Sequence, residues 1–440
     1  MARTAEVDKV RELQRTLYRA AKADPGRRFH ALHDKVLRRD VLERAWELVR
    51  RNRGAAGIDQ ITIDDVEQHG VDRLLDELAT DLRNGDYRPL AARRVFIPKP
   101  GSSERRPLSI PAVRDRVVQA AARIVIEPIF EADFLPCSFG FRPKRAAHDA
   151  LQVLVDEAWR GRRWVVETDI ASCFEAIPHD GLMQAVEERI VDRKLLGLVR
   201  GMLRAGVMEG GAVTRRQAGT PQGGVVSPLL ANVYLHRLDR QWQTQANGVL
   251  VRYADDLVVM CKTRREAERA LEALEAILAG MGLEPKLAKT RIVHLAEGGE
   301  GLDFLGFHHR WVRSRDRRFR HVCFLARWPS RQAMQRARDR VRELTARDRL
   351  RWPVEQIVRD LNRFLRGWAG YFRYGNSTVQ FDQIIRHADT RLALWMANRH
   401  QQPRRYGWQR LAASHDRLGL VSLNGIIVAP RPNRPWRPGR

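Results

Sequence analysis

Hydrophobic residues recur at helical spacing through most of the chain, so the sequence predicts a largely helical protein. In the stretch 264–280, for example, Leu271, Leu274 and Leu278 share one face of the predicted helix. The same spacing predicts further helices at about 4–53, 71–82, 114–131, 181–205 and 228–238, and three or more between 329 and 398.

Strand-like patterns occupy three places between these helices. Residues 93–101 and 105–111 predict a basic two-stranded hairpin with a Gly/Ser turn. Residues 164–170 form a short apolar run that delivers one carboxylate near its end. The stretch 249–260 has two apolar, β-branched runs around two adjacent carboxylates, which predicts a tight hairpin with both acids at its tip.

The three carboxylates that these strands carry are Asp169, Asp255 and Asp256. Adjacent carboxylates repel each other, and a divalent cation removes that cost. Hard carboxylate oxygens suit Mg²⁺, and a metal pair about 4 Å apart stabilises the attacking and leaving oxygens of phosphoryl transfer. Taken alone, the Asp-Asp pair is more typical of a solvated turn, and Asp169 of a helix cap or turn. Three acids that converge from separate strands are instead typical of two-metal catalysis.

Composition narrows the partners of the chain. Its 440 residues suggest two to three domains, and 79 Lys and Arg against 53 Asp and Glu give a net charge of +26. Such an excess favours a polyanion, first of all nucleic acid. We find no run of about 18 apolar residues and no signal-peptide core, so we expect a cytoplasmic protein without a membrane partner. The four cysteines form no C-x-x-C and predict reduced thiols without a zinc site.

Seven motifs follow one another in an order that carries a family resemblance. They are Ile97-Pro98-Lys99, Arg106-Pro107-Leu108, Ser138-Phe139-Gly140-Phe141-Arg142-Pro143, Asp169 to Phe174, Gly219-Thr220-Pro221-Gln222-Gly223-Gly224, Tyr253-Ala254-Asp255-Asp256 and Phe304-Leu305-Gly306-Phe307. Over roughly residues 45–375 this series closely resembles the bacterial group II intron reverse transcriptases, also called maturases.

The resemblance implies an α+β fold of the right-hand polymerase type, with fingers, palm and thumb and an antiparallel palm sheet. It also implies an α-helical thumb and maturase domain after the palm. We expect a basic N-terminal extension with the start of the fingers at 1–80, fingers and palm at 81–315, the thumb and maturase domain at 316–425, and a basic Pro/Arg-rich tail at 426–440.

The same resemblance implies the residues of a two-metal site. Asp169, Asp255 and Asp256 would be the catalytic palm carboxylates, and the backbone carbonyl of Ile170 would be a further metal ligand. Asp169 and Asp255 are the firmer ligands, whereas Asp256 could instead orient the primer end. The expected cofactors are two Mg²⁺ ions, with Mn²⁺ as the alternative, and the expected reaction is attack of a primer 3′-OH on a deoxynucleoside triphosphate.

Five further residues would contact the incoming nucleotide if the resemblance holds. Lys99 and Arg106 would grip its triphosphate, although a lone surface charge is the simpler explanation for one lysine. Phe174 would lie under the sugar and clash with a 2′-OH. Gln222, in a Gly-rich loop, would approach the base pair, unless that loop is a plain turn before a helix. Lys289 is a candidate for a phosphate contact.

Three other stretches leave alternatives open. Residues 304–307 would hold the primer by resemblance, but two phenylalanines around a glycine equally fit core packing. Residues 361–372 mix arginine with aromatics, which fits both an amphipathic core helix and RNA recognition. Residues 310–320 hold six arginines against one aspartate and predict a solvated linker or a nucleic-acid contact. The stretch from Gln401 is expected to be poorly ordered at its end unless RNA holds it.

Two departures from the family pattern concern chemistry and extent. Family members commonly have Phe-Phe-Asp where this chain has Cys173, Phe174 and Glu175. Many also continue into an H-N-H nuclease with zinc-binding cysteines, and the sequence shows none, so it resembles the compact subgroup that lacks the endonuclease.

The sequence therefore predicts an RNA-directed DNA polymerase that assists splicing and mobility of a group II intron RNA. Its expected partners are intron RNA, an RNA template and a DNA primer or target, and the oligomeric state is open. Two alternatives remain: a non-enzymatic RNA-binding splicing cofactor, and a domesticated reverse transcriptase in DNA repair or antiphage defence.

Overall fold

Helices and three small sheets alternate along the chain. The computed structural model describes residues 8–98, 105–214, 218–220, 223–314, 317–413, 419–423 and 425–431. The helices are α1 (Lys9–Ala23), α2 (His33–Val36), α3 (Arg39–Asn52), α4 (Ile63–His69), α5 (Val71–Asn84), α6 (Val113–Glu131), α7 (Ala147–Trp159), α8 (Cys173–Ala176), α9 (His179–Glu187), α10 (Arg193–Arg204), α11 (Ser227–Gln241), α12 (Thr244–Asn247), α13 (Arg264–Gly280), α14 (Arg331–Leu344), α15 (Val354–Phe372), α16 (Thr378–Arg399) and α17 (Arg404–Ala413).

Strands make up a smaller part of the fold. They are β1 (Ala92–Pro98), β2 (Arg105–Ile110), β3 (Trp164–Asp169), β4 (Val207–Glu209), β5 (Ala212–Thr214), β6 (Val249–Tyr253), β7 (Asp256–Cys261), β8 (Arg291–His294), β9 (Leu302–Phe304), β10 (Phe307–Arg313) and β11 (Cys323–Pro329). This content confirms the expected α+β class.

The central sheet has the strand order β6-β7-β3-β8, and every neighbouring pair is antiparallel, as expected for a palm. Successive side chains of a strand point to opposite faces, so each strand contributes to two cores. Val166 and Leu257 belong to a core built with α6, α9, α11 and α13. Val165 and Val258 belong to a second core shared with α7 and the C-terminal helices.

The basic hairpin predicted at 93–111 forms as β1 and β2, which pair antiparallel from Arg93 opposite Ile110 to Pro98 opposite Arg105. Strand β1 also pairs with β4, which extends the hairpin into a four-stranded sheet with the order β2-β1-β4-β5. Gly57 and Ala112 lie in contact at the base of this hairpin, where a Cβ on the glycine would lie 2.4 Å from the Cα of Ala112.

The prediction of a solvated linker at 310–320 is wrong for its first part. Strand β10 continues to Arg313 and pairs with β11 along its whole length. His309 and Trp311 are buried, and the guanidinium of Arg163 lies 3.9 Å from the centre of a Trp311 ring. Alternate residues of β10 face the core, and the many arginines between and beyond them hide this pattern in the sequence.

The C-terminal helices pack through one face of α15. Leu361, Leu365, Ala369 and Phe372 are buried in the second core, while arginines occupy the exposed side of the same helix. Residues 419–423 return to this helix, where the amide of Val421 donates to the side chain of Asn362 at 2.7 Å. Residues 432–440, the end of the expected tail, lie outside the described residues.

The domain division remains a prediction. The boundary expected near residue 80 falls within α5, and the boundary near 315 falls between β10 and β11 of one sheet. Within the part of the chain that the structure describes, no helix is both long and apolar enough to cross a bilayer.

Candidate active site

The three predicted carboxylates meet at one end of the palm sheet. Asp169, the last residue of β3, lies directly opposite Asp256, the first residue of β7. Asp256 also pairs with Tyr253 of β6, which leaves Ala254 and Asp255 as a two-residue turn. The carbonyl of Asp255 accepts a hydrogen bond from the amide of Ile170 at 3.1 Å. The predicted convergence of two strands and a turn is therefore present in the backbone.

Strand alternation places these acids on one face of the sheet. Residues opposite each other in an antiparallel pair share a face, so Asp169 and Asp256 project to the same side. Glu167 lies two residues before Asp169 and points the same way. Glu167, Asp169 and Asp256 are half-buried. Val165 and Val258, further along the same face, are covered by the second core. The acids thus stand where the apolar cover of the sheet ends.

Burial and mutual repulsion both act on these carboxyl groups. Burial, with the nearby charges of Asp255 and Glu167, raises the pKa of Asp256 to about 6. Burial likewise raises the pKa of Asp255. The positive charge of Arg106 acts in the opposite direction on both. The site therefore disfavours its own negative charge, and a bound cation would relieve that cost.

Lys289 lies beside Asp169 at the acid end of the palm sheet. It ends the 3₁₀ turn Leu287–Lys289, and its ammonium forms an ion pair with Asp169. The amide of Lys286 donates to the backbone carbonyl of Asp169 at 2.7 Å, which fixes the turn beside β3. The structure thus brings Lys289 to the acids, and the phosphate contact expected of it remains a prediction.

The donor set fits a hard divalent cation in its chemistry. Asp169, Asp255 and Asp256 supply only oxygen ligands, which Mg²⁺ prefers. Among the described residues no three His, Cys, Asp or Glu side chains are grouped closely enough to hold a metal as they stand. Lys289 pairs with one carboxylate oxygen of Asp169, so a cation bound there would share that carboxylate with the lysine or displace it.

The basic hairpin of β1 and β2 carries Arg106, whose charge acts on the acids. Arg106 lies on β2 opposite Ile97 of β1, and its charge partly offsets the rise that burial causes in the pKa of both Asp255 and Asp256. A positive charge in this position fits a group that would meet a phosphate at the acid end of the sheet. Lys99, the other predicted triphosphate contact, lies outside the described residues.

Described residues of the Gly-rich loop contact both Phe174 and strand β2. The amide of Thr220 donates to the carbonyl of Phe174 at 2.6 Å, and Phe174 itself is half-buried beside the first core. Gly219 has a φ of 96°, and a Cβ there would lie 3.0 Å from the backbone of Glu175. A Cβ on Gly223 would lie 2.5 Å from the carbonyl of Ser109 on β2. Gln222, which follows Gly219 and precedes Gly223 in the sequence, lies outside the described residues.

The two phenyl rings of the stretch 304–307 pack in the core, and the primer contact expected of this stretch remains a prediction. Phe307 is fully buried, and Phe304 is 4% exposed. Between them Leu305 and Gly306 form a tight turn with φ values of 50° and 80°. Core packing, the alternative that the sequence left open, is what the structure has, because β9 and β10 face the second core.

Sequence reasoning missed two charged residues around the site. Glu167 could have been found by counting two residues back from Asp169 along β3. Arg94, almost fully buried on β1, lies 3.8 Å from a carboxylate oxygen of Glu175, the residue that departs from the family pattern. The longer side chain at 175 thus reaches the basic hairpin of β1 and β2, and no local sequence pattern predicts this contact.

Comparison with known proteins gives the family. Residues 97–309 match the model of the reverse transcriptase (RNA-dependent DNA polymerase) family, and residues 334–412 match the group II intron maturase-specific domain. Protein YkfC of Escherichia coli strain K12 is 35% identical over 348 residues, which cover 70% of this chain and 90% of that protein.

A second relative is much longer than the matched region. The group II intron-encoded protein LtrA of Lactococcus lactis subsp. cremoris is 39% identical over 214 residues, which are 48% of this chain and 35% of LtrA. An uncharacterized 91 kDa protein in the cob intron of Schizosaccharomyces pombe is 36% identical over 208 residues, 47% of this chain and 25% of that protein. With acids at the end of an antiparallel palm sheet and a helical domain after it, the chain belongs to the group II intron-encoded reverse transcriptases with a maturase domain and is an RNA-directed DNA polymerase.

Proposed function

We propose that this chain copies RNA into DNA by two-metal nucleotidyl transfer at Asp169, Asp255 and Asp256, and that it assists splicing and mobility of a group II intron RNA. The observation that supports it most is the register that places Asp169 opposite Asp256, with Asp255 in the adjoining turn. Three acids reach one end of the sheet from two strands and a turn, as the chemistry requires.

Reverse transcriptases depend on divalent metal ions, and in our proposal two Mg²⁺ ions, with Mn²⁺ as a substitute, would bind here. When bound, they would neutralise charge on the attacking and leaving oxygens. Asp169 and Asp255 would hold them, with the carbonyl of Ile170 as a further ligand, and Asp256 would bind a metal or orient the primer end. Lys289 would leave Asp169 as the cation enters and would then be placed to meet a phosphate.

The incoming deoxynucleoside triphosphate would lie between palm and fingers. The charge of Arg106 on β2 acts on Asp255 and Asp256, so a triphosphate held there would meet both that charge and the metals. Phe174, tied by its backbone to the Gly-rich loop, would stand against the sugar. Lys99 and Gln222 complete the proposed set by resemblance.

Membership of the family implies binding of intron RNA, and the net charge of +26 suits such a partner. We propose an RNA template and a DNA primer or target as further partners. Exposed arginines along α15 offer a surface for RNA on the side opposite its buried face. A cytoplasmic location remains part of the proposal.

Removing both turn acids tests the metal assignment. Asp255→Ala with Asp256→Ala should abolish primer extension on an RNA template while RNA binding, measured by filter retention, persists. The matched control is Glu272→Ala with Glu275→Ala, which removes two carboxylates from α13, beside the same sheet but away from its acid end. Primer extension that survives in the first variant would overturn the metal assignment. Loss of extension in the control would also count against it, because removing any two carboxylates would then have the same effect.

Phe174→Ala tests the contact with the sugar. Removing the ring should raise ribonucleotide incorporation relative to deoxynucleotide by roughly tenfold to a hundredfold, since a steric pocket discriminates by about that much. The measurement compares kcat/KM for a ribonucleotide and its deoxy counterpart on one template. Unchanged discrimination would remove Phe174 from this role and leave the metal assignment intact.

A further inference from the structure

We propose that Arg252 is a positioning residue that fixes the turn carrying Asp255 from behind the palm sheet. It acts together with Ser138, Gly140, Asn232 and Asp239, and we call these five residues the Arg252 network. The proposal deepens the function proposed above, because it rests on Asp255 being a metal ligand. It also gives a role to the Ser138-to-Pro143 motif, which the catalytic assignment leaves unused.

Arg252 works from the opposite side of the sheet from the acids. It belongs to β6, lies opposite Leu257 and alternates with Tyr253, so its side chain points toward α11. The side chain is fully buried, and so is the carboxylate of Asp239 that pairs with it. A charge in this position cannot reach substrate, and any effect on catalysis must pass through the backbone of the turn.

Every N–H of the Arg252 guanidinium has an acceptor. Nε and Nη2 donate to the two carboxylate oxygens of Asp239 at 2.8 and 2.6 Å. Nη2 also donates to Oγ of Ser138 at 2.8 Å. Nη1 donates to the amide oxygen of Asn232 at 2.9 Å and to the backbone carbonyl of Ala254 at 3.2 Å. The last bond ties the turn itself to the buried ion pair.

A neighbouring loop holds the turn by backbone contacts. The amide of Arg252 donates to the carbonyl of Cys137 at 2.8 Å, and the amide of Phe139 donates to the carbonyl of Arg252 at 2.9 Å. Gly140 lies so close to the turn that a Cβ on it would be 2.5 Å from the nitrogen of Ala254. The side-chain amide of Asn232 donates to the carbonyl of Gly140 at 2.8 Å, which joins loop and guanidinium.

The turn needs such support because its backbone is strained. Ala254 has a φ of 58°, a left-handed conformation that is unfavourable for a residue with a Cβ. A buried ion pair contributes little net stability, since desolvation of both charges offsets their attraction. The contribution of the Arg252 network is therefore the position of Asp255, one residue beyond the carbonyl that Arg252 binds.

This argument predicts that the network can be removed without unfolding the protein. Replacing both partners of a buried ion pair by apolar residues is often neutral or stabilising. Arg252→Met with Asp239→Leu should therefore still fold, with a melting temperature lowered only by the acceptors left without a donor at Ser138, Asn232 and Ala254, while Asp255 loses its fixed position. The matched control is Arg189→Met with Asp133→Leu, a second buried arginine paired with a half-buried acid; Arg189 follows α9, donates to the backbone carbonyls of Ala21 and Pro25, and has, among the described residues, no bond to the turn.

Three measurements on the full-length protein test the proposal. In the Arg252/Asp239 variant, kcat should fall about a hundredfold, the effect expected of a displacement near 1 Å. The Mg²⁺ concentration for half-maximal rate should rise about tenfold or more, as when a residue behind a metal ligand is lost. Hydrogen exchange at the amides of residues 253–257 should become faster in the absence of any metal. The control variant should resemble the unchanged protein in all three.

The outcomes separate this proposal from the one it rests on. Unchanged exchange at 253–257 and an unchanged Mg²⁺ requirement in the Arg252/Asp239 variant would overturn the positioning role. If that variant fails to fold, Ser138→Ala decides, because it removes one acceptor and should still raise the Mg²⁺ requirement and the exchange rate. Faster exchange together with extension that survives Asp255→Ala would instead keep the network and reject the metal assignment.

Discussion

Two tight turns of this protein begin with a residue in the left-handed conformation and have opposite surroundings. Ala254 and Asp255 connect β6 to β7, and Leu305 and Gly306 connect β9 to β10. In both loops a residue other than glycine has a positive φ, 58° at Ala254 and 50° at Leu305. The first turn is flanked by half-buried carboxylates and the second by buried phenyl rings. A tight turn in a sequence motif therefore does not by itself identify a reactive site.

The difference follows from where each turn stands relative to the second core. Phe307 lies inside it, with ring centres of Tyr371 and Phe372 at 5.4 and 4.8 Å. Asp256 stands beyond the last covered residue of its face, with other acids as neighbours. Side chains at the first turn oppose folding through their charge, and side chains at the second favour it through their burial. The predictions below depend on this contrast in sign.

Phe307→Ala should give the largest effect. Removing a fully buried ring loses its transfer free energy and leaves a cavity, so the free energy of unfolding should fall by about 3–5 kcal/mol. Chemical denaturation measures the change, and His308→Ala, on the half-buried side of the same strand, is the control. A loss below that of the control would mean that the second turn is not held by its core.

Asp256→Asn should have the opposite sign and depend on pH. The folded protein binds a proton at Asp256 with a pKa near 6, against 3.8 for an ordinary aspartate, so its metal-free stability falls as pH rises between these values. With EDTA, the variant should be more stable than the unchanged protein by on the order of 1–3 kcal/mol above pH 6. The difference should vanish below about pH 4, where both chains are neutral at this position.

Exchange of residue types between the two turns should give the smallest effects. Gly306→Ala places a Cβ at a φ of 80° and should destabilise the fold by about 1 kcal/mol. Ala254→Gly relieves the same kind of strain, and the added chain entropy offsets it, so stability should change by less than about 1 kcal/mol. Thermal unfolding of both variants measures these values, and a large loss in Ala254→Gly would show that the first turn needs its methyl group.

Much of the site could be predicted because its signals are local. Two apolar, β-branched runs predicted the hairpin at 249–260, and the apolar run before Asp169 predicted the strand that joins it. The pairing of Asp169 with Asp256 required only that both strands enter one sheet, which the family resemblance supplied. Periodicity also predicted α6 within one residue of its bounds, whereas the stretch predicted at 228–238 stops three residues short of the end of α11.

The rest depended on contacts between distant parts of the chain. Arg252 reads as a polar interruption of an apolar strand, and nothing near it reveals that Asp239 and Ser138 satisfy it in the interior. Lys289 is separated from Asp169 by 120 residues, so its ion pair was not visible either. Trp311 was missed because the arginines around it outweighed the alternation of β10.

The bond between Arg252 and Ser138 also has a consequence in time. The two residues are 114 positions apart in the chain. At a synthesis rate of roughly 5–20 residues per second, the loop at 137–140 waits on the order of ten seconds for the strand that covers it. Until β6 leaves the ribosome, neither the loop nor the acid-bearing turn can reach its final position. The active site can therefore form only after the ribosome has made more than half of these 440 residues.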